Sequence, residues 1–146
     1  MLLTSGTSMR LYNVYGKLQS KQVTRFLVNW DKPCRSKVQF KTKQFLKKFW
    51  ENQVVYEEFP VYGTKMKVDI LNATKKIAVE VQGNQHVSFN KFFHNNSRLK
   101  YLESIKRDAQ KAQWLEKNGY TLVEIHEKEV ESLNKEFFLN KFNIAL

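Results

Sequence analysis

The chain is 146 residues long with 42% hydrophobic and 14% aromatic side chains, which suits one compact domain and excludes wholesale disorder. Twenty-five Lys and Arg against fourteen Asp and Glu give a formal charge of +11, which favours a polyanionic partner, nucleic acid first. A single cysteine, Cys34, excludes an internal disulfide framework and a cysteine-based zinc cluster.

No apolar run approaches the ~18 residues that span a bilayer, and the start MLLTSGTSMR lacks the pattern of a secretory leader. A soluble intracellular protein is expected. Residues 1–60 carry eleven basic and four acidic side chains, the denser part of the positive charge. Within them Phe26, Val28 and Trp30 alternate with Leu27 and Asn29 as in a strand, with Leu11 to Tyr15 as the expected partner. The turn-like Asp31-Lys32-Pro33-Cys34 closes this short β appendage over residues 1–35, ahead of a main domain over 36–146.

Ser36 is a fitting N-cap, and after it the period becomes helical. Val38, Phe45, Leu46, Phe49 and Trp50 form an apolar stripe, while Lys37, Lys41, Lys43, Lys47 and Lys48 cover the rest. Strands are expected at Val54 to Phe59, ended by Pro60, and at Thr64 to Leu71 and Lys76 to Gln82, joined through Asn72-Ala73-Thr74-Lys75. Residues 83–101 lack a period and read as a long loop. A helix from Leu102 to Asn118 stops at Gly119, Tyr120 to His126 reads as a strand, and a closing helix begins at Val130. The order of the main domain is α-β-β-β-α-β-α.

The hairpin holds the chemistry. A short turn there pairs residues whose numbers sum to 147, which sets Met66, Val68 and Ile70 on one apolar face with Val81, Val79 and Ile77. Period two then gathers Lys67, Asp69, Glu80 and Gln82 on the opposite face. Asp69 and Glu80 become diagonal neighbours, about 7–8 Å apart at the backbone. From there both carboxylates reach a common divalent ion such as Mg2+. The same alternation also suits a solvated strand face. On the later helix Asp108 falls beside the stripe Leu102, Ile105, Ala109, Ala112 and Leu115, where it wants a cation or a donor. A rim pair with Lys111 or Lys106 satisfies it equally. His86, four residues past the hairpin, is a candidate general base or phosphate contact.

The lysines of the first helix suit contacts to phosphates, or simply a solvated face. In the loop, Phe89-Asn90-Lys91-Phe92-Phe93-His94 mixes aromatics with polar side chains. Lys91, Phe92 and Phe93 fit either DNA contact or packing of the loop onto the body.

Asp69 followed by Glu80-Val81-Gln82 resembles the D-x(n)-E-x-K core of the PD-(D/E)XK nuclease superfamily, with Gln82 where lysine is usual. Glu80-Val81-Gln82-Gly83-Asn84-Gln85-His86 is similar to the E-x-[DQ]-G-x-x-H signature of nucleases like the very short patch repair endonuclease. Asp108-Ala-Gln-Lys111, Leu115 and Gly119-Tyr120 are similar to the tail of that group, and the subgroup most resembled is the phage-associated EDxHD homing type. The resemblance covers Ser36 to Glu131.

It implies an α/β, restriction-endonuclease-like αβββαβ core with a mixed sheet and a magnesium-dependent (or manganese-dependent) endonuclease acting on double-stranded DNA. Asp69 and Glu80 would hold the metal, Gln82 and His86 would position or activate water, and Asp108 would complete the site. In the repair endonuclease the equivalent loop wedges aromatics into the duplex. A homodimer would serve double-strand cleavage, and the setting would be the cytoplasm, that of the host for a phage protein. Gln82 cannot supply the charge of the missing lysine. The first helix lacks the acidic residue of EDxHD members: Gln39 stands in its place, leaving Glu57 or Glu58 to substitute. The competing functions are a non-catalytic DNA-binding module on the same fold and a basic RNA-binding protein.

Overall fold

In the computed structural model, which describes residues 7–83 and 95–146, two antiparallel strands lead into a four-stranded mixed sheet with helices. The elements are β1 (Ser8–Tyr12), β2 (Leu18–Gln22), α1 (Lys37–Trp50), β3 (Val55–Pro60), β4 (Lys67–Asn72), β5 (Ile77–Gln82), α2 (Asn95–Lys117), β6 (Thr121–His126) and α3 (Lys135–Phe142). The sheet order is β3-β4-β5-β6: β3 and β5 run antiparallel to β4, and β6 runs parallel to β5. A parallel neighbour needs a crossover, which α2 supplies. No described helix is long and apolar enough to cross a membrane.

Local chemistry sets the ends of these elements. The Ser36 hydroxyl accepts from the backbone N–H groups of Val38 (3.2 Å) and Gln39 (3.3 Å), a cap worth about 1 kcal/mol. At the end of α2, Gly119 takes φ +81°, a left-handed turn that lets Tyr120 N–H return to the Leu115 carbonyl at 2.9 Å. Val55, Ile70, Ile77, Val79, Val123 and Ile125 then form one apolar cluster with Leu46 and Trp50 of α1 and Phe138 of α3. Tyr56, Phe59, Leu71 and Ala78 form a second with Trp114 and Leu115 of α2. Each Val, Leu, Ile or Phe among them, when fully buried, contributes about 1.5–3 kcal/mol.

Four expectations are corrected. Phe26 to Trp30 is no partner for β1; the segment has a 3₁₀ turn at Thr24–Phe26 and a single bridge from Leu27 to Tyr56. β1 pairs instead with β2, because Asn13 accepts from Tyr15 and Lys17 N–H and Gly16 at φ +85° closes the reversal nearby. β1 contributes Leu11, and the residue after β2, Val23, joins it in the second cluster; the Trp114 indole N–H donates to the Tyr12 carbonyl at 2.6 Å. Second, α2 starts at Asn95, with Leu99, Leu102 and Ile105 exposed, so burial reaches its stripe only from Trp114 and Leu115. Third, the hairpin register sums to 149: Ile70 faces Val79 and Asn72 faces Ile77, because the turn is made by residues 73–76 with Lys76 left-handed at φ +59°. The shift sets Asp69 level with Glu80 just beyond the last paired residues. The expected single apolar face is also corrected: Val68 and Met66 pack with the second cluster, while Ile70, Ile77 and Val79 belong to the first.

Candidate active site

The β4–β5 ladder pairs only Ile70 to Asn72 with Ile77 to Val79. Beyond it β4 stays with β3 and β5 stays with β6, so the middle of the sheet forks, and Asp69 and Glu80 stand at its base. Backbone donors released by the fork need acceptors. The two carboxylates provide them reciprocally: Asp69 N–H donates to Glu80 Oε2 and Val81 N–H donates to Asp69 Oδ2, both at 2.8 Å.

The pair is crowded and starved of water. Glu80 is buried and Asp69 half-buried. Burial first, and the Glu80 charge second, push the Asp69 carboxyl up to about 7 from its usual 3.8; Glu58 adds to the rise, while the Val81 N–H and Lys111 oppose it. Glu58 lies level with Asp69 at the one position the β3–β4 ladder skips, between the Glu57–Ile70 and Phe59–Val68 pairs, and holds an unusual φ of +50°. Its carboxylate accepts from the Gln39 amide at 3.2 Å, so Gln39 reaches this corner from α1. Glu57 is committed elsewhere, to Lys43 Nζ (2.8 Å) and to Asn29 N–H (2.7 Å). Of the two candidates for a third acidic residue, Glu58 is the one beside Asp69.

Lys111 is the residue the sequence reading missed. Its ammonium, 15% exposed, lies 2.5 Å from Glu80 Oε1 and delivers from α2 the positive charge that Gln82 lacks. Its place three residues after Asp108, in the run Asp108-Ala-Gln-Lys111, was the available signal. Gln82 lies two residues beyond Glu80 on β5, half-buried and beside His126 of β6.

The remaining expected site residues are dispersed. Asp108 is exposed, so the inward placement read from helical spacing does not hold; the apolar stripe it was to border is exposed there too. His86, Lys91, Phe92 and Phe93 lie outside the described residues. Lys43 is fully buried between Glu57 and the Lys32 carbonyl and is no phosphate contact. It sits on the face of α1 shared with Gln39, Leu46 and Trp50, where helical period buries it. Lys41 is paired with Glu131, and Lys47 with Asp31; Lys37 and Lys48 are exposed.

The donor chemistry of Asp69 and Glu80 fits a hard divalent cation. Mg2+ needs only one or two carboxylates with waters completing its shell, and Asp69 Oδ1 accepts no hydrogen bond from the described residues. Among those residues no group of three or more His, Cys, Asp or Glu is placed to hold a metal, so a cation here would have only these two carboxylates.

No family model matches the chain, and no solved structure matches it. It is similar to uncharacterized protein 033L of Invertebrate iridescent virus 3, 35% identical over 66 residues, or 45% of this chain. The match spans 34% of that relative, about a third of its length.

Proposed function

We propose that the chain is a magnesium-dependent DNA endonuclease on a restriction-endonuclease-like αβββαβ core, hydrolysing phosphodiester bonds of double-stranded DNA in the cytoplasm, that of the host if it is phage-encoded. The observation that carries this reading is the Asp69–Glu80 pair at the strand fork: a buried and a half-buried acid held together where the sheet opens. They would hold Mg2+ or Mn2+, which when bound acidifies a water and offsets charge developing on the phosphate. Lys111 adds a fixed positive charge beside Glu80 in a site of low polarity, where it counts most. The Gln82 amide orients a water or a phosphate oxygen. His86 keeps the role of water activation that its motif position implies. Asp108, exposed, is given no role.

Supercoiled plasmid incubated with the protein and Mg2+ should be nicked or linearised, and a chelator should stop it. Plasmid left intact with both Mg2+ and Mn2+ would overturn the reading. The second reading, a non-catalytic DNA-binding module, is favoured by one observation: the Lys111 ammonium already neutralises a Glu80 oxygen at 2.5 Å. It expects DNA binding with no cleavage.

A further inference from the structure

The lysines of α1 are in large part spent on the protein itself: Lys43 is sealed, and Lys41 and Lys47 hold carboxylates. The free positive charge lies elsewhere. A polar cleft of about 500 Å3 opens between residues 25–35 and the start of β4, with Arg25, Lys32, Arg35 and Lys67 on its walls. None of these four lies within ion-pair distance of a carboxylate among the described residues. Glu57 and Glu58 form part of the lining, but Glu57 is already neutralised by Lys43. Glu58 is the end of the cleft nearest the fork, where its charge acts on Asp69. Lys67 stands two residues before Asp69 on the same face of β4, so the cleft leads along that strand to the carboxylates. At its other end it meets a second cleft, which Lys21 lines, through the shared Arg25 and Phe26. The Arg25 guanidinium is held over the Phe26 ring, 4.8 Å from its centre, which fixes a charge at that junction.

We propose that this cleft, walled by the N-terminal segment and not by the lysine face of α1, is the track that binds the DNA phosphate backbone and guides it to Asp69 and Glu80. The inference rests on the nuclease reading for its endpoint, though binding along the track stands or falls by itself. It assigns the segment before α1 a function: Arg25, Lys32 and Arg35 supply cations spaced along one wall, and Lys67 faces them from the sheet. Phosphate contacts of this kind position DNA without reading its sequence.

The test is the affinity of the full chain for a labelled duplex, measured by fluorescence anisotropy over a range of salt without divalent metal. The double variant Arg35→Gln/Lys67→Gln should bind at least about tenfold more weakly and lower the slope of log K against log salt by about two. Lys75→Gln/Lys128→Gln, which removes the same charge at the β4–β5 turn and beyond β6, should leave that slope unchanged. Both doubles alter exposed residues, and thermal melts check that they fold. Equal slopes for the Arg35/Lys67 variant and the unaltered chain would overturn the cleft, as would an equal loss in the control. Plasmid cleavage that survives such an outcome leaves the nuclease standing without the cleft; a lowered slope with no cleavage leaves the cleft and removes the nuclease.

Discussion

Among the described residues, Lys43–Glu57 and Lys111–Glu80 each join a buried side chain to a half-buried one, and their surroundings differ. Lys43–Glu57 is saturated: the ammonium also donates to the Lys32 carbonyl, and the carboxylate also accepts from Asn29 N–H. Lys111–Glu80 has a second acid pressed against it, and Asp69 responds with a carboxyl pushed up to about 7. The first pair ties α1 and the N-terminal segment to the sheet. The second leaves an excess of negative charge at the strand fork, which a further cation would relieve. Satisfied ion pairs hold folds; unsatisfied ones invite ligands.

Breaking the sealed pair should have the largest effect on stability. Lys43→Met leaves Glu57 without its cation and should cost about 3–5 kcal/mol, read from the urea midpoint. Adding Glu57→Gln should recover more than half of the loss. In the open pair the effect moves to chemistry: Asp69→Asn should lower plasmid cleavage at least about a thousandfold, roughly 4 kcal/mol of barrier. The same change should raise the melting temperature of metal-free protein at pH 7 by several degrees, since the fold disfavours the ionised acid. Lys111→Met should cut cleavage about a hundredfold and make the protein more responsive to Mg2+ in a thermal melt, because Glu80 then has no competing cation.

The sign of the pH dependence follows from the same pair. Asp69 is raised from 3.8 to about 7 in the folded state, so the fold favours its protonated form. That contribution is complete below about pH 4 and is lost as the pH rises towards 7. Metal-free protein should therefore lose stability across that window, and the Asp69→Asn variant should lose less. Asp108→Asn, on an exposed turn of α2, should move neither turnover nor stability by more than about 0.5 kcal/mol. A tenfold fall in turnover would restore it to the site.

From Ser36 onward the sequence made the element order legible, because a change between period two and period 3.6 reports the type of element. The N-terminal strand pair and the packing of Val68 apart from Ile70 escaped it. Ser36 marked a boundary through its side-chain hydroxyl, and Pro60 and Gly119 through their backbones. The register was misread by two residues, since the lengths of four-residue turns are set by backbone conformations such as that of Lys76, which side-chain pattern does not encode. Asp69 and Glu80 could be placed on a shared face, yet the fork between them could not: it depends on β4 and β5 choosing different neighbours. Lys43 and Lys111 show the same boundary of inference. A lysine in a helix reads as solvated, and only the packing of α1 and α2 on the sheet turns these two inward. Asp108 erred the other way, because its apolar neighbours Leu102 and Ile105 remain uncovered.

The central claim is that Asp69 and Glu80 form a cation site. A thermal melt of the full chain at pH 7, with and without millimolar Mg2+, tests it most directly, because a ligand that binds only the folded state raises the melting temperature. The account predicts a clear rise for the unaltered chain and none for Asp69→Asn. An unmoved melting temperature, or the same rise in both proteins, would contradict it.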